Sequence, residues 1–453
     1  MNNSHQQRID EFMDEMAERN PNQPEFLQAV KEVVSHIIPF IGEHKKYQKI
    51  NLLHYIAEPE RVIQFRVPWF DDSGTLQVNR GYRVQFSSAM GPYKGGLRFH
   101  PSVNLSILKF LGFEQVFKNA LTKLPLGGGK GGADFNPKGK SDAEVMRFCQ
   151  SFMTELYRHI GPDTDIPAGD IGVGAREIGY LFGQYKRISN EFTGTITGKG
   201  ISWGGTLIRP EATGFGLVYF LKEILAANDK EFKGLRVAVS GSGNVAQFAI
   251  QKLIEEGAVV ISASDSSGYA YCKDGISQEM LDSLMKVKNE DRGRISDWAD
   301  GTSEIEYFDD ANVWDLSEEY DIALPCATQN EIDESLAEKI KSAGVIAVAE
   351  GANMPCTADA IKYFAQNNVM YAPGKATNAG GVAVSGLEMT QNATRVYWSE
   401  KKVDKKLRQI MHAIHQQCQN YGKQQNDSVD YEKGANLAAF TKVADSVLAQ
   451  GLV

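Results

Sequence analysis

The chain has 453 residues, enough for two or three domains with a large core, and 42% of them are apolar, as in an ordinary globular protein. Its formal net charge of −9 excludes a general nucleic-acid binder, which would need a basic surface. Its five cysteines are scattered without a CxxC pair, which argues against a disulfide framework or a zinc site and fits a reducing compartment.

The N-terminal sequence MNNSHQQRIDEF carries no apolar signal region, and no apolar run is long enough to span a membrane. His412 and His415 lie one helical turn apart, but no third ligand is near them in the sequence, so no metal site is expected. We therefore expect a soluble, cytoplasmic protein without membrane or nucleic-acid partners.

The first predicted elements are helices followed by a sheet. Residues 1–57 mix polar and apolar residues at helical spacing, which predicts helices that serve packing or subunit contact. Residues 61–89 alternate with a period of two on both sides of the turn at Asp71–Gly74, which predicts strands. These strands would support the stretch that follows them.

Three lysines stand out in that stretch. Lys94 lies in PYKGG and Lys130 in GGGKGG, each predicted to lie in a loop among glycines, which let the backbone approach a ligand closely. Lys118 lies one turn after Gln115 on a helix predicted at about 103–121. Taken singly, such lysines are typical of solvated surfaces and such glycines of turns. Three ammonium groups directed at one place would suit a small substrate with several negative charges.

The segment GGGKGG is predicted to be a loop, followed by a short strand near Gly132–Phe135. It is not a phosphate-binding P-loop, because that motif would need glycine where Leu124 stands and serine or threonine where Gly131 stands. Ser141 and Glu144 then have the spacing of a capping box, which predicts a helix reaching about residue 159.

Asp170 lies in PAGDIG, between glycines and just before a helix predicted from Ala175. A carboxylate in such a loop is often only a turn or a helix cap. A functional role gains weight if Asp170 meets Lys130, because an acid and an amine in one dry pocket can exchange protons.

A second domain is predicted to begin near Gly200–Gly205, with a helix from about Ala212. A strand at Arg236–Ser240 leads into GSGNVA, a helix at Gln247–Glu256 and a second strand at Ala258–Ser264 that ends at Asp265. A glycine-rich GxGxxA turn between a strand and a helix, with an acid after the next strand, predicts a dinucleotide site.

Further strands are predicted at Ile322–Pro325, Val345–Ala349 and Val369–Ala372, and each leads into a loop of the kind that binds ligands in parallel sheets. NAGGVAVSGLEMTQN then opens a helix with Ser385 near its start, and the remaining tail is mainly helical.

Six motifs resemble the small hexameric glutamate dehydrogenases of bacteria and fungi, and the resemblance covers nearly the whole chain. They are PYKGGLRFHPSVN, LPLGGGKGGADFNP, PAGDIGVGAREIGY, DIALPCATQN, AVAEGANMP and NAGGVAVSGLEMTQN. The resemblance implies a homohexamer that interconverts L-glutamate with 2-oxoglutarate and ammonia, in the service of ammonium assimilation. It also implies an α/β fold of two domains, a substrate-binding and oligomerisation domain (1–200) and a Rossmann-type domain (201–378), with C-terminal helices (379–453) that return to the first domain.

The resemblance further implies residue roles. Lys94 and Ser385 would hold the substrate's side-chain carboxylate. Lys130 would be the catalytic lysine, partly neutral because it is desolvated beside other cations, and Asp170 would shuttle protons to and from the amino nitrogen. The α-carboxylate would be held by Gln115, Lys118 and the backbone of Gly169. The cofactor would contact Thr213, Gly241, Gly243, Asn244, Asp265 and Ser266.

The choice between NADP and NAD depends on the sequence ASDSSG around Asp265. A strand-end acid ordinarily favours NAD, because it bonds the ribose 2′-hydroxyl and repels a phosphate. ASDSSG nevertheless resembles the NADP-linked branch of the family, so NADP is expected. The 2′-phosphate would be bound by Ser264 and Ser266 and neutralised by Lys138, Lys288 or Arg292.

Four alternatives remain. An NAD-linked glutamate dehydrogenase would use Asp265 in the ordinary way. A relative acting on leucine, valine or phenylalanine should lack the Lys94–Ser385 pair, since an apolar side chain offers no carboxylate. A nucleotide-binding regulatory protein should have lost Lys130 or Asp170, and a structural assembly protein would not need the cofactor turn.

Overall fold

The computed structural model describes residues 3–48, 51–425 and 427–451, which form sixteen α-helices and thirteen β-strands. The helices are α1 (Asn3–Arg19), α2 (Pro24–Glu43), α3 (Leu52–Ala57), α4 (Leu105–Leu121), α5 (Asp142–Leu156), α6 (Ala175–Ser189), α7 (Ala212–Ala226), α8 (Asn244–Glu255), α9 (Gln278–Asn289), α10 (Ile295–Asp300), α11 (Glu334–Ser342), α12 (Ala358–Gln366), α13 (Gly374–Thr377), α14 (Gly380–Thr394), α15 (Glu400–Gly422) and α16 (Tyr431–Gln450). The strands are β1 (Arg61–Phe70), β2 (Leu76–Ser87), β3 (Tyr93–Phe99), β4 (Gly128–Ala133), β5 (Asp165–Gly169), β6 (Arg236–Val239), β7 (Val259–Val260), β8 (Ser262–Asp265), β9 (Gly268–Tyr271), β10 (Glu306–Asp309), β11 (Ile322–Leu324), β12 (Ala347–Ala349) and β13 (Met370–Ala372).

The chain divides into two compact units. The first comprises Met1–Leu207, Val382–Val403 and Asn436–Val453, and the second comprises Ile208–Gly381 and Asp404–Ala435. The C-terminal segment predicted at 379–453 is thus shared between the two units. The predicted domain limits at 200 and 378 stay predictions.

The first unit is built on a five-stranded mixed sheet in the order β1-β2-β4-β3-β5. The strands β1, β2 and β4 pair antiparallel, whereas β4, β3 and β5 pair parallel. The turn predicted at Asp71–Gly74 is confirmed, because the Gly74 N–H donates to the Asp71 carbonyl at 3.0 Å. Three of the motifs noted above, PYKGG, GGGKGG and PAGDIG, therefore lie on or beside neighbouring strands of one sheet.

Both faces of this sheet are covered. On one face Phe86 packs on Phe113 of α4, with ring centroids 5.7 Å apart, and Phe113 in turn contacts α2. On the other face Phe65 packs on Phe152 of α5, at 5.1 Å, because successive side chains of a strand point to opposite sides. Ser141 caps α5 through the predicted capping box with Glu144. A phenylalanine-rich core thus joins α5 and α6 to this face of the sheet.

Terminal helices complete the first unit. The helical prediction for residues 1–57 is confirmed by α1, α2 and α3, except at residues 1–2 and 49–50, which lie outside the described residues. At the other end of the chain, Lys442 of α16 donates to the Ala120 carbonyl at 3.3 Å, and Gln450 donates to the Ala89 carbonyl at 2.9 Å. The last helix therefore packs beside the end of α4 in the first unit.

The predicted loop at GGGKGG is wrong, and so is the placement of Lys94 in a loop. Both lysines lie inside strands, β4 and β3, and the predicted strand near Gly132–Phe135 begins four residues too late. Glycine usually weakens a strand, but it is retained where another backbone or side chain approaches closely. A Cβ on Gly128 would lie 2.8 Å from the Val116 backbone, so α4 can pack directly onto this strand only if it carries no side chain there.

The second unit contains a five-stranded sheet in the order β13-β12-β11-β6-β7, in which all pairs are parallel. A separate antiparallel sheet is formed by β10, β9 and β8. The predicted strand–turn–helix unit is present, but α8 begins at Asn244 rather than Gln247, and the predicted strand at Ala258–Ser264 is divided into β7 and β8. The α/β class predicted from the sequence is confirmed.

Within the described ranges, no helix is long and apolar enough to cross a membrane. His412 lies 2.8 Å from Glu223, and the buried His415 lies 2.9 Å from the Tyr431 hydroxyl; burial lowers the pKa of His415 to about 4. In the part of the chain that the structure describes, no group of three or more His, Cys, Asp or Glu side chains is arranged to hold a metal ion.

Candidate active site

Lys130 lies at the centre of β4, between β2 and β3, with its ammonium group almost fully buried. The glycines on either side of it leave room for the buried Arg83 side chain. A Cβ on Gly131 would lie 3.0 Å from Arg83 Cδ, and one on Gly129 would lie 3.5 Å from the Arg83 guanidinium. The glycine pattern around Lys130 thus accommodates a second cation beneath it.

Asp170 follows the last residue of β5, and it meets Lys130 directly. Lys130 Nζ lies 3.2 Å from Asp170 Oδ2, and Arg98 of β3 donates its Nε–H to the same oxygen at 2.8 Å. Gly96 makes this approach possible, because a Cβ there would lie 2.9 Å from the Asp170 Cβ. One carboxylate is therefore shared by two cations.

Burial and neighbouring charges set the protonation of this cluster. Burial lowers the pKa of Lys130, and Arg98 and Arg83 lower it further, while the Asp170 carboxylate opposes them. Burial alone would raise the pKa of Asp170, but the attraction of Lys130 and Arg98 outweighs it and brings that pKa to about 2. Asp170 is thus ionised at neutral pH, and Lys130 loses its proton more readily than an ordinary lysine.

Lys94 of β3 is buried, with 1% of its surface exposed, and donates from Nζ to the Thr197 hydroxyl at 2.8 Å. The N–H of Thr197 donates to the Pro167 carbonyl of β5 at 3.0 Å. Asn119 of α4 donates to the Lys94 carbonyl at 3.0 Å. Thr197 was not predicted from the sequence, because its local indication was only a run of alternating threonines in TGTITGK.

The remaining predicted substrate residues lie in the same unit. Gln115 and Lys118 are half-buried on α4, and Gln115 donates to Asn119 Oδ1 at 2.7 Å. Gly169 ends β5, where a Cβ would lie 2.5 Å from the Val173 carbonyl oxygen. Ser385 is buried on α14. The next residue of α14, Gly386, packs on Leu124, just before β4.

The second unit presents a cavity of about 580 Å³ at the turn between β6 and α8. Gly241 has a positive φ of +84°, and its N–H donates to Ser264 Oγ at 2.8 Å. A Cβ on Gly243 would meet no atom within 4 Å, so the N-terminus of α8 is open to a ligand. Backbone N–H groups at an open helix N-terminus are suited to a pyrophosphate, and the residues present therefore fit a dinucleotide.

Asp265 lines this cavity, but its carboxylate is committed to bonds within the protein. Oδ1 accepts from the N–H and hydroxyl of Ser267, and Oδ2 accepts from Lys288 Nζ at 3.1 Å and the Ile295 N–H at 3.0 Å. Burial raises the pKa of Asp265, but these bonds outweigh it and lower that pKa to about 2. The carboxylate is thus held ionised by its own neighbours.

The neighbouring Ser266 is exposed, and its Oγ accepts from Arg294 Nη1 at 2.7 Å. Of the three basic residues suggested from the sequence, Lys288 contacts Asp265, whereas Lys138 is exposed in the first unit. Arg292 occupies a turn position with φ of +57°. Arg294, which lies only two residues beyond Arg292, was not predicted from the sequence.

The two other predicted cofactor residues lie at helix starts in the second unit. Asn244 is the first residue of α8 and is exposed. Thr213 is the second residue of α7, and its hydroxyl faces Gly381, where a Cβ would lie 2.6 Å away. Both positions stay predictions as cofactor contacts.

A parallel sheet with an open glycine turn in one unit, and a buried lysine–aspartate pair in the other, define a dinucleotide-linked enzyme of the α/β class. Two family models match the chain: "Glutamate/Leucine/Phenylalanine/Valine dehydrogenase" over residues 204–451, and "Glu/Leu/Phe/Val dehydrogenase, dimerisation domain" over residues 59–187. The chain belongs to this dehydrogenase family.

Individual relatives are similar over nearly the full length. The chain is 57% identical to the NADP-specific glutamate dehydrogenase of Escherichia coli, covering 98% of this chain and 99% of that one. It is 56% identical to the NADP-specific glutamate dehydrogenase of Giardia intestinalis, covering 99% of each. A crystal structure of glutamate dehydrogenase from Plasmodium falciparum superimposes with a TM-score of 0.96 at 51% identity, covering 99% of this chain and 96% of that chain.

Proposed function

We propose that this protein catalyses the reversible oxidative deamination of L-glutamate to 2-oxoglutarate and ammonia with NADP(H), and that it serves ammonium assimilation. The observation that carries the proposal is the contact of Lys130 with Asp170, at 3.2 Å, in a unit that also buries Lys94. The near full-length similarity to NADP-specific glutamate dehydrogenases supports both the reaction and the cofactor.

The substrate is a dianion, and the first unit offers cations to hold it. Lys94, whose ammonium is fixed by Thr197, binds the side-chain carboxylate together with Ser385. Lys118 and Gln115 bind the α-carboxylate, helped by the backbone of Gly169. A lysine fixed in place loses less freedom on binding, which favours a tightly held carboxylate.

Lys130 and Asp170 carry the proton transfers. When hydride leaves Cα, the iminium carbon is attacked by water, and neutral Lys130 Nζ takes the proton from that water. Its lowered pKa makes the neutral form accessible. Once Lys130 is neutral, the strongest attraction that keeps Asp170 ionised is removed, so Asp170 becomes basic enough to exchange a proton with the amino nitrogen.

NADP supplies the hydride acceptor in deamination and the hydride donor in amination. Gly241 and Gly243 would leave room for its pyrophosphate at the start of α8. Because Asp265 is already bonded to Lys288 and to two backbone N–H groups, it is not available as the usual acceptor for a ribose 2′-hydroxyl. Ser266 and Arg294 form a donor pair suited to a 2′-phosphate.

NAD is the second candidate cofactor, because Asp265 stands where NAD-linked proteins carry their acid. A direct test of both reaction and cofactor is the loss of reduced-nicotinamide absorbance with 2-oxoglutarate and ammonium. We expect NADPH to be oxidised at least tenfold faster than NADH. Faster oxidation of NADH would show that Asp265 sets the preference, and no oxidation of either by folded protein would favour a nucleotide-binding regulatory role.

A cytoplasmic homohexamer is proposed for the assembled protein. The edge strand β1 and its neighbour β2 expose the apolar residues Val62, Phe70, Leu76 and Val78, the last at 58% of its surface. Exposed apolar side chains on an edge strand mark a surface that another chain covers, and they fall within the range matched by the dimerisation-domain model. Light scattering should give six times 50.0 kDa, about 300 kDa, and the double variant Phe70→Glu with Val78→Lys should give a smaller species.

A further inference from the structure

A buried ion pair joins the segment that carries Thr197 to the helix that carries Ser385. Lys199 Nζ donates to Glu388 Oε1 at 2.8 Å, and the two side chains are 1% and 0% exposed. Both residues belong to the first unit. Neither was singled out from the sequence, and neither has a part in the proton transfers described above.

Glu388 does more than neutralise the lysine, because it also holds backbone. Its Oε2 accepts from the Gly198 N–H at 2.9 Å, and its Oε1 accepts from the Lys199 N–H at 3.3 Å. Lys199 Nζ donates in turn to the Ile196 carbonyl. Gly198 takes a positive φ of +87°, so the chain turns sharply around the carboxylate. Ile196 to Lys199 are thereby wrapped onto α14 by one buried carboxylate.

The middle of that turn is Thr197, whose hydroxyl accepts from Lys94 Nζ at 2.8 Å. On the helix side, Ser385 precedes Glu388 by three residues, a spacing that places both on neighbouring positions of one helix face. Glu388 therefore holds the residue that follows Thr197, whose hydroxyl fixes Lys94, and lies one helical turn from Ser385.

We propose that Lys199 and Glu388 are positioning residues that set the distance between Lys94 and Ser385, and so determine selectivity for a substrate with a side-chain carboxylate. This inference rests on the proposed function. Without the pair, the turn at Thr197 is no longer fixed to α14. The distance between Lys94 and Ser385, which bind the distal carboxylate, is then no longer set. The residues predicted to hold the α-carboxylate lie on other elements, α4 and the end of β5.

Selectivity is the quantity that separates this role from simple structural support. It is measured as the ratio of kcat/KM for 2-oxoglutarate to kcat/KM for 2-oxovalerate, a 2-oxo acid of equal chain length without the distal carboxylate. We expect Glu388→Gln to raise the KM for 2-oxoglutarate and to lower this ratio at least tenfold, with the KM for NADPH unchanged. Lys199→Met should also lower the selectivity ratio, and Lys199→Arg, which keeps the charge, should lower it less.

A matched control is Lys109→Met, which removes another buried lysine of the first unit, one bonded to Asn20 and lying 4.3 Å from the Phe26 ring centroid. We expect it to lower thermal stability and leave the selectivity ratio unchanged. If Glu388→Gln does not fold, the same selectivity ratio is measured on the double variant Lys199→Met with Glu388→Leu, in which neither position carries a buried charge.

The outcomes are distinct. Wild-type protein that fails to oxidise NADPH with 2-oxoglutarate and ammonium overturns the proposed function itself. An active wild type whose folded variants lose activity equally with both oxo acids overturns the positioning role alone, as does a ratio that stays within threefold of the wild type. A tenfold loss of selectivity, absent in Lys109→Met, supports it.

Discussion

Replacing Asp170 by asparagine removes the negative charge beside Lys130 while keeping nearly the same shape. At the observed separation of 3.2 Å, two unit charges interact by about 5 kcal/mol at an effective dielectric constant of 20. That figure agrees with the roughly 3–5 kcal/mol lost when one partner of a buried pair is removed. Asparagine also cannot take up a proton, and a positioned acid–base group contributes about 10²–10⁴-fold to a rate.

We therefore expect Asp170→Asn to lower kcat by about 10²–10⁴-fold. The KM for 2-oxoglutarate should not rise, because loss of a negative charge cannot weaken the binding of a dianion. Steady-state amination kinetics with NADPH give both quantities, and NADPH fluorescence reports whether the cofactor still binds. Asp163→Asn, which changes an exposed carboxylate of the same unit, should leave kcat unaltered. A kcat within tenfold of the wild type would remove Asp170 from the proton transfers.

Three further changes test other parts of the reasoning. Arg98→Gln removes a cation that lowers the pKa of Lys130, so the limb of the pH profile along which kcat/KM for glutamate rises with pH should move to higher pH. A shift to lower pH would contradict the assignment. Arg294→Met should raise the KM for NADPH about tenfold or more, and the KM for NADH less than threefold, because a charge-assisted bond to phosphate is lost. Lys230→Met, which changes an exposed lysine, serves as the control. Equal changes in KM for both cofactors would refute a contact between Arg294 and the 2′-phosphate. Burial raises the pKa of Glu350 to about 7, so the folded protein binds the extra proton between about pH 4.3 and 7, and stability falls as pH rises through that window. Glu350→Gln should remove a pH-dependent loss in the free energy of unfolding of on the order of 3–4 kcal/mol by pH 8, and so flatten the fall of Tm with pH. An unchanged slope of Tm against pH would show that Glu350 does not cause it.

The sequence predicted best where a local pattern determines a local structure. Ser141 and Glu144 correctly predicted the N-cap of α5, because both hydrogen bonds of a capping box lie within one helical turn. The dinucleotide turn was recognisable because its glycines, strand and helix are contiguous. Even there, α8 begins at Asn244, since Gly243 is its N-cap and the helix starts inside the motif.

Prediction failed where glycines replaced the alternating pattern of a strand. In β4 the run GGKGGA has no period of two, so it resembled a loop. The reason for the glycines lies elsewhere in the sequence, in Val116 of α4 and the Arg83 side chain, which occupy the space that Cβ atoms would need. Thr197 was missed for a similar reason, because its partner Lys94 is 103 residues away and no local motif connects the two.

Some buried charges of the first unit are matched one to one, whereas others are not. Arg83 is matched by Asp165 in a fully buried pair, and Lys199 is matched by Glu388. Around Asp170, by contrast, two cations share one carboxylate.

Balanced pairs of this kind hold the fold together at little net cost, whereas an excess of buried positive charge costs free energy until an anion offsets it. The protein as a whole carries a net charge of −9, so this local excess is not a general property of the chain. A substrate carboxylate would offset this excess of one positive charge, so the cluster favours an anionic substrate over a neutral one.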